Sequence, residues 1–79
     1  MITVSSQLSF LESHLRGTGI AITSADATQI GILNLRARLT EMRQAGLVVR
    51  STVLNKYGRR AFTVSARDTK GSRARLFVA

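Results

Sequence analysis

Residues 27–48 read ATQIGILNLRARLTEMRQAGLV, and the reading of this stretch decides the fold. Ile32, Leu35, Leu39 and Met42 follow one another at spacings of three, four and three, which places them on one stripe of a helix. A helix over about 32–45 is expected, with that stripe turned inward. Gly31 stands just before it, where a residue without Cβ permits a sharp, left-handed turn. Gly46 stands just after it, in the position of a C′ glycine, and Leu47 can supply the apolar contact that accompanies such a cap. The stretch therefore reads as the end of one helix, a glycine turn, a second helix with a firm stop, and the start of something else.

Upstream, Leu8, Leu11 and Leu15 fall at helical spacing, with Phe10 and His14 flanking them. They predict a first helix over about 5–16, with Ser5 or Ser6 as N-cap. Gly17 and Gly19 end it. GIAIT at 19–23 alternates for long enough to form one brief strand, which would need a partner elsewhere. Thr23 and Asp26 have the spacing of a capping box with a shortened acid, so a second, short helix is expected over about 23–30. His14, the sole histidine, is expected to be a half-buried packing residue.

Downstream of Gly46 the period changes from helical to alternating. LVVRSTVL, RAFTVSAR and SRARLFVA predict three antiparallel strands over about 47–54, 60–67 and 72–78, joined at NKYG and DTKG, which both close on glycine. Phe62, Val64 and Ala66 share one face of the second strand. In the third, Ala74, Leu76 and Val78 share a face and leave Arg73 and Arg75 on the other. The expected class is α+β, one domain over residues 1–79, with one apolar and one basic face to its sheet.

Composition narrows what such a domain does. Seventy-nine residues bury about two thirds of their surface at most, so every element must share one core. No cysteine is present, which excludes disulfides and thiolate metal sites. No apolar run has the length of a membrane span, and MITVSSQLSF has neither part of a secretory leader; a soluble, unprocessed chain without membrane contact is expected. Glu12, Asp26, Glu41 and Asp68 are scattered over different elements, and no paired carboxylates or nucleophile–base pair emerges. Neither catalysis nor a cofactor or metal is expected. Twelve basic residues oppose four acidic ones, ten of the twelve being arginine, and the formal charge is +8. Residues 50–79 hold eight of the basic residues and a single acid. An acidic partner is the first expectation.

The order helix, short strand, helix, glycine turn, helix and basic antiparallel strands resembles the winged helix-turn-helix DNA-binding domains, and among them the small helix-turn-helix regulators of phages and prophages. The resemblance is carried by Ala27 four residues before Gly31, by Ile32 directly after it, by the leucines of the following helix and by RLTEMRQAGLV leading into the strands. It covers residues 7–54 well and the rest loosely. Two features depart from the family pattern: the third C-terminal strand, and Leu33, an apolar residue on the presumed DNA side.

What the resemblance implies is a recognition helix at about 32–45, lying in the major groove of double-stranded DNA. At 100° per residue from Leu35, the positions outside the core are Leu33, Asn34, Ala37 and Thr40, with Arg36 and Arg38 on opposite flanks. These six would form the helix contribution, Asn34 pairing with adenine and Arg36 or Arg38 with guanine or phosphate. The plainer reading of the arginines is a solvated flank on which Glu41 pairs with a neighbour. Lys56, Tyr57, Arg59, Arg60, Lys70 and Arg73 would form the wing contribution at two basic tips. The implied role is transcription control in the cytoplasm, at the nucleoid of a bacterial host or infected cell. The chain would be a monomer by default and a dimer on DNA only through its first helix or a sheet edge. Two other roles fit the same pattern: an excisionase-like protein that bends DNA, and a winged-helix module that docks on and inhibits a host protein.

Overall fold

A computed structural model describes residues 3–54 and 58–77. The elements run α1 (Val4–Leu15), β1 (Ile22–Thr23), α2 (Ser24–Gln29), α3 (Leu35–Gln44), β2 (Leu47–Val53) and β3 (Arg60–Asp68). Among the described residues the chain thus forms three helices and one three-stranded antiparallel sheet, in the order β1-β3-β2.

Local chemistry sets the helix boundaries. The cap of α1 is Thr3, two residues before Ser5 and three before Ser6, the expected caps, and its hydroxyl accepts the Ser6 amide at 3.1 Å. α2 is opened by the expected capping box: Thr23 Oγ1 accepts from the Asp26 amide, and Asp26 Oδ2 accepts from the Thr23 amide, each at 3.1 Å. α3 starts later than the apolar stripe suggested. Asn34 caps it, its Oδ1 accepting the Ala37 amide at 3.1 Å, so Ile32 and Leu33 belong to the turn and not to the helix. Gly31 and Gly46 adopt φ of +94° and +108°, values that a Cβ resists.

The stripe itself is placed as expected. Ile32, Leu35, Leu39 and Met42 are buried with Leu8, Leu11, Leu15, Ile22, Ala27, Leu47, Phe62 and Val64 in one core. The brief strand β1 finds its partner in β3, where Ile22 faces Phe62 and Thr23 faces Ala61. β2 pairs along the other side of β3 with Val49 opposite Val64 and Ser51 opposite Phe62, after an irregularity between Leu47 and Val49. One expectation fails on exposure: His14 is exposed and stacks on Phe10, ring centroids 5.3 Å apart.

The expected third strand over 72–78 does not form: residues 72–77 are irregular, and Val78 lies outside the described residues. The reason is Asp68. Its Oδ1 accepts the amides of Lys70 (2.9 Å) and Ser72 (2.8 Å), turning the chain away from the sheet and onto α1. There the backbone bonds to two charged side chains instead of a ladder. Glu12, wholly buried, accepts the Leu76 amide at 2.9 Å and the Phe77 amide at 3.2 Å. Arg16 bonds Glu12 at 3.1 Å and donates to the carbonyls of Ala66 (3.0 Å), Ser72 (2.8 Å) and Ala74 (2.6 Å). Alternation in SRARLFVA thus reflects a segment with Phe77 packed on the core, not a strand.

The Ser72 amide, foremost, holds the Asp68 carboxyl below its ordinary value. The turn's contribution to stability is therefore present above the unfolded-state pKa and lost as pH falls through the lowered folded value.

Thermal melts test both halves of this description. Leu39→Ala is expected to cost about 2–5 kcal/mol by cavity formation. Glu12→Ala, which leaves a buried guanidinium without its counter-charge, is expected to cost about 3–5 kcal/mol and to speed amide exchange at Leu76 and Phe77. A Glu12→Ala melt within a degree of the parent would show that the C-terminal segment does not depend on Glu12.

Candidate nucleic-acid interface

Arg36, Thr40 and Arg43 are spaced by four and three residues, so they share one flank of α3, beside the buried stripe. That flank faces the β2–β3 hairpin. Between them lies a cleft of about 250 Å³ lined by Arg36, Leu39, Thr40, Arg43, Ser51, Arg60 and Phe62. A second cleft, of about 500 Å³, adjoins it toward the start of α2 and is lined by Thr23, Ser24, Ala25, Arg36, Gly58, Arg59, Arg60 and Phe62. Arg36, Arg60 and Phe62 belong to both. The aromatic ring forms part of a common floor, and the two arginines stand between the clefts.

Four guanidinium groups therefore line one continuous surface, and no carboxylate lines it with them. Arg36, Arg43 and Arg60 are exposed, and their side chains have no hydrogen-bond or ion-pair partner among the described residues. Other arginines are spent within the fold. Arg16 holds the C-terminal segment, and Arg38 forms an ion pair with Glu41 at 3.1 Å on the opposite flank of α3. Arg75 donates to the Ser13 hydroxyl. Gathering the like charges of Arg36, Arg43 and Arg60 without a partner among the described residues is unfavourable in the isolated protein, and a bound anion relieves that cost.

The residues expected to bind are distributed as follows. Arg36, Thr40, Arg59 and Arg60 come together at the clefts. Leu33 is 83% exposed in the turn before α3, and Ala37 is half-buried. Asn34 spends its carbonyl oxygen on the helix cap. Arg38 is half-buried and turned to Glu41, so Glu41 pairs with a neighbour as the plainer reading has it, on a flank less solvated than that reading expected. Lys70 and Arg73 are exposed but line neither cleft, since residues 68–77 turn toward α1 and form no second wing tip. Lys56 and Tyr57 lie outside the described residues.

Arg43, Ser51 and Ser24 join the site without having been singled out as contacts. Arg43 was accessible to sequence reasoning, being two helical turns beyond Arg36. Ser51 was not, because its position beside Phe62 depends on the pairing register after the irregularity at Leu47–Val49.

Among the described residues no group of three His, Cys, Asp or Glu side chains could hold a metal ion, and no helix is long and apolar enough to cross a membrane. No protein-family model matches the chain, and neither curated proteins nor solved structures give a match.

Proposed function

We propose that this chain is a winged helix-turn-helix protein that binds double-stranded DNA and controls transcription, as the small phage and prophage regulators it resembles do. The observation that carries the reading is the segregation of arginines. Arg16 and Arg38, which pair with carboxylates, serve the fold, whereas Arg36, Arg43 and Arg60, without a partner among the described residues, line one surface that Arg59 also lines. That surface includes a flank of α3, the helix assigned to recognition, and the hairpin assigned to the wing.

On this reading α3, about 15 Å long at 1.5 Å per residue, enters a major groove about 12 Å wide. Its N-terminal end meets base edges. Exposed Leu33 suits the methyl group of thymine. Arg36 suits guanine or phosphate. The cap role of Asn34 revises its expected part: the amide NH₂ remains to donate a single bond, in place of bidentate pairing with adenine. The hairpin residues Arg59 and Arg60 act on the backbone, and the mechanism is occupancy of a promoter, without chemistry, by a cytoplasmic monomer. A protein-docking role has one observation in its favour, an apolar groove of about 320 Å³ lined by Ser6, Gln7, Phe10, Ile30 and Ile32. It lies away from the arginine surface and shares no lining residue with it.

Selection of bound sites from random duplex DNA tests the reading, and a defined motif is expected. On that motif Arg36→Ala is expected to cost about 1–3 kcal/mol, while Arg38→Ala changes binding by a few tenths. Failure to enrich any motif, or equal losses in the two variants, would remove direct readout by α3.

A further inference from the structure

We infer that the smaller cleft, between α3 and the β2–β3 hairpin, seats one backbone phosphate, and that the larger cleft beside it seats the next phosphate of the same strand. The inference rests on the DNA-binding reading and goes beyond it. It moves the grip on the strand from the tip of the wing to the seam between α3 and the sheet.

Three features of the smaller cleft point to phosphate. Arg36, Arg43 and Arg60 converge on it from two elements with no partner among the described residues. A planar guanidinium offers paired N–H donors that match two phosphate oxygens at once. The floor is apolar, formed by Leu39 and Phe62, both buried. It restricts water on one side of the anion and strengthens its attraction to the arginines. The two hydroxyls then divide their work. Thr40 Oγ1 donates its proton to the Arg36 carbonyl at 3.0 Å, so it braces the helix under Arg36. Ser51 has no such bond among the described residues, and its hydroxyl is the one available to donate to a phosphate oxygen.

The arrangement also selects a polymer of phosphates over a lone anion. Arg36 and Arg60 line both clefts, so one pair of guanidiniums stands between two adjacent anion seats, one completed by Arg43 and Ser51 and the other by Arg59. A nucleic-acid strand supplies anions in succession, one for each nucleotide. An acidic side chain of a partner protein would fill one seat and leave the other empty.

Arg43 lines the smaller cleft alone, which makes it the discriminating position. Fluorescence anisotropy of duplex binding, titrated with salt, is compared for the parent, Arg43→Gln, Arg43→Lys and Ser51→Asp, each first checked for an unchanged melting temperature. Arg43→Gln is expected to weaken preferred and scrambled duplexes alike and to lower the slope of log affinity against log salt by about 0.9. Arg43→Lys keeps the slope and loses part of the affinity, and Ser51→Asp weakens binding at least about tenfold by placing a carboxylate in the seat. A scan of single methylphosphonates, which remove one phosphate charge each, is expected to find one position that weakens the parent and leaves Arg43→Gln unaffected. The inference is overturned if Arg43→Gln keeps the parental slope and the parental methylphosphonate profile while Arg36→Ala still weakens binding; DNA recognition by α3 would then stand without the phosphate seat. It falls together with the DNA-binding reading if the parent binds duplexes no better than the Arg36→Ala variant and polyglutamate displaces them at equal charge concentration.

Discussion

A glutamate with none of its surface exposed is the constraint on which the rest of this small fold depends. Taking the Glu12 carboxylate out of water is tolerable only because Arg16 and two backbone amides meet it. Arg16 in turn satisfies three carbonyls, from Ala66 at the end of β3 and from Ser72 and Ala74 beyond it. One ion pair on one face of α1 thus ties together the first helix, the last strand and the C-terminal segment. It also decides where charge is available. The guanidinium of Arg16 and the polar backbone of residues 72–77 are consumed on the α1 side of the molecule, whereas Arg36, Arg43 and Arg60 on the α3–hairpin side gather around one cleft without a partner among the described residues.

The helical half was legible in the sequence because its signals are local. The stripe Ile32, Leu35, Leu39 and Met42, the Thr23–Asp26 box and the glycines at 31 and 46 each depend on residues a few positions apart, and each appears as expected except that Ile32 is buried from the turn before α3. Strands β2 and β3 were legible from alternation. Their register and the attachment of β1 to β3 were not, since cross-strand pairing is a long-range property and an irregularity near Leu47 shifts it. The C-terminal segment was misread for a related reason. Alternation in residues 72–78 is the same whether its amides face a neighbouring strand or a buried carboxylate, and Glu12 lies 64 residues away from Leu76. Glu12 stands four residues after Leu8 and three before Leu15, on the stripe of α1 that faces the core, but no local pattern tells which amides it meets there.

The candidate site was legible in part. Arg36, Arg59 and Arg60 could be named from charge and position, and Arg38 could be recognised as a partner for Glu41 at helical spacing. What sequence alone did not provide is which flank of α3 meets the hairpin. That choice brings Arg36, Arg43 and Arg60 together and sends Arg38 elsewhere, and it follows from how the core stripe seats α3 against β2 and β3. With Leu35, Leu39 and Met42 turned inward, the flank of Arg36 and Arg43 closes on Ser51 and Phe62. Packing of the apolar stripe and placement of the cations are therefore one event.

The central claim is that the arginine surface, and not the apolar groove by Phe10, is where this protein meets its partner. Amide chemical shifts recorded while an unlabelled duplex is added at low salt test it most directly. The account predicts that the largest changes fall in residues 33–43, at Ser51 and in residues 58–62, while α1 and residues 72–77 keep their positions. Changes concentrated at Phe10, Ile30 and Ile32, with Arg36, Arg43 and Arg60 unmoved, would contradict it.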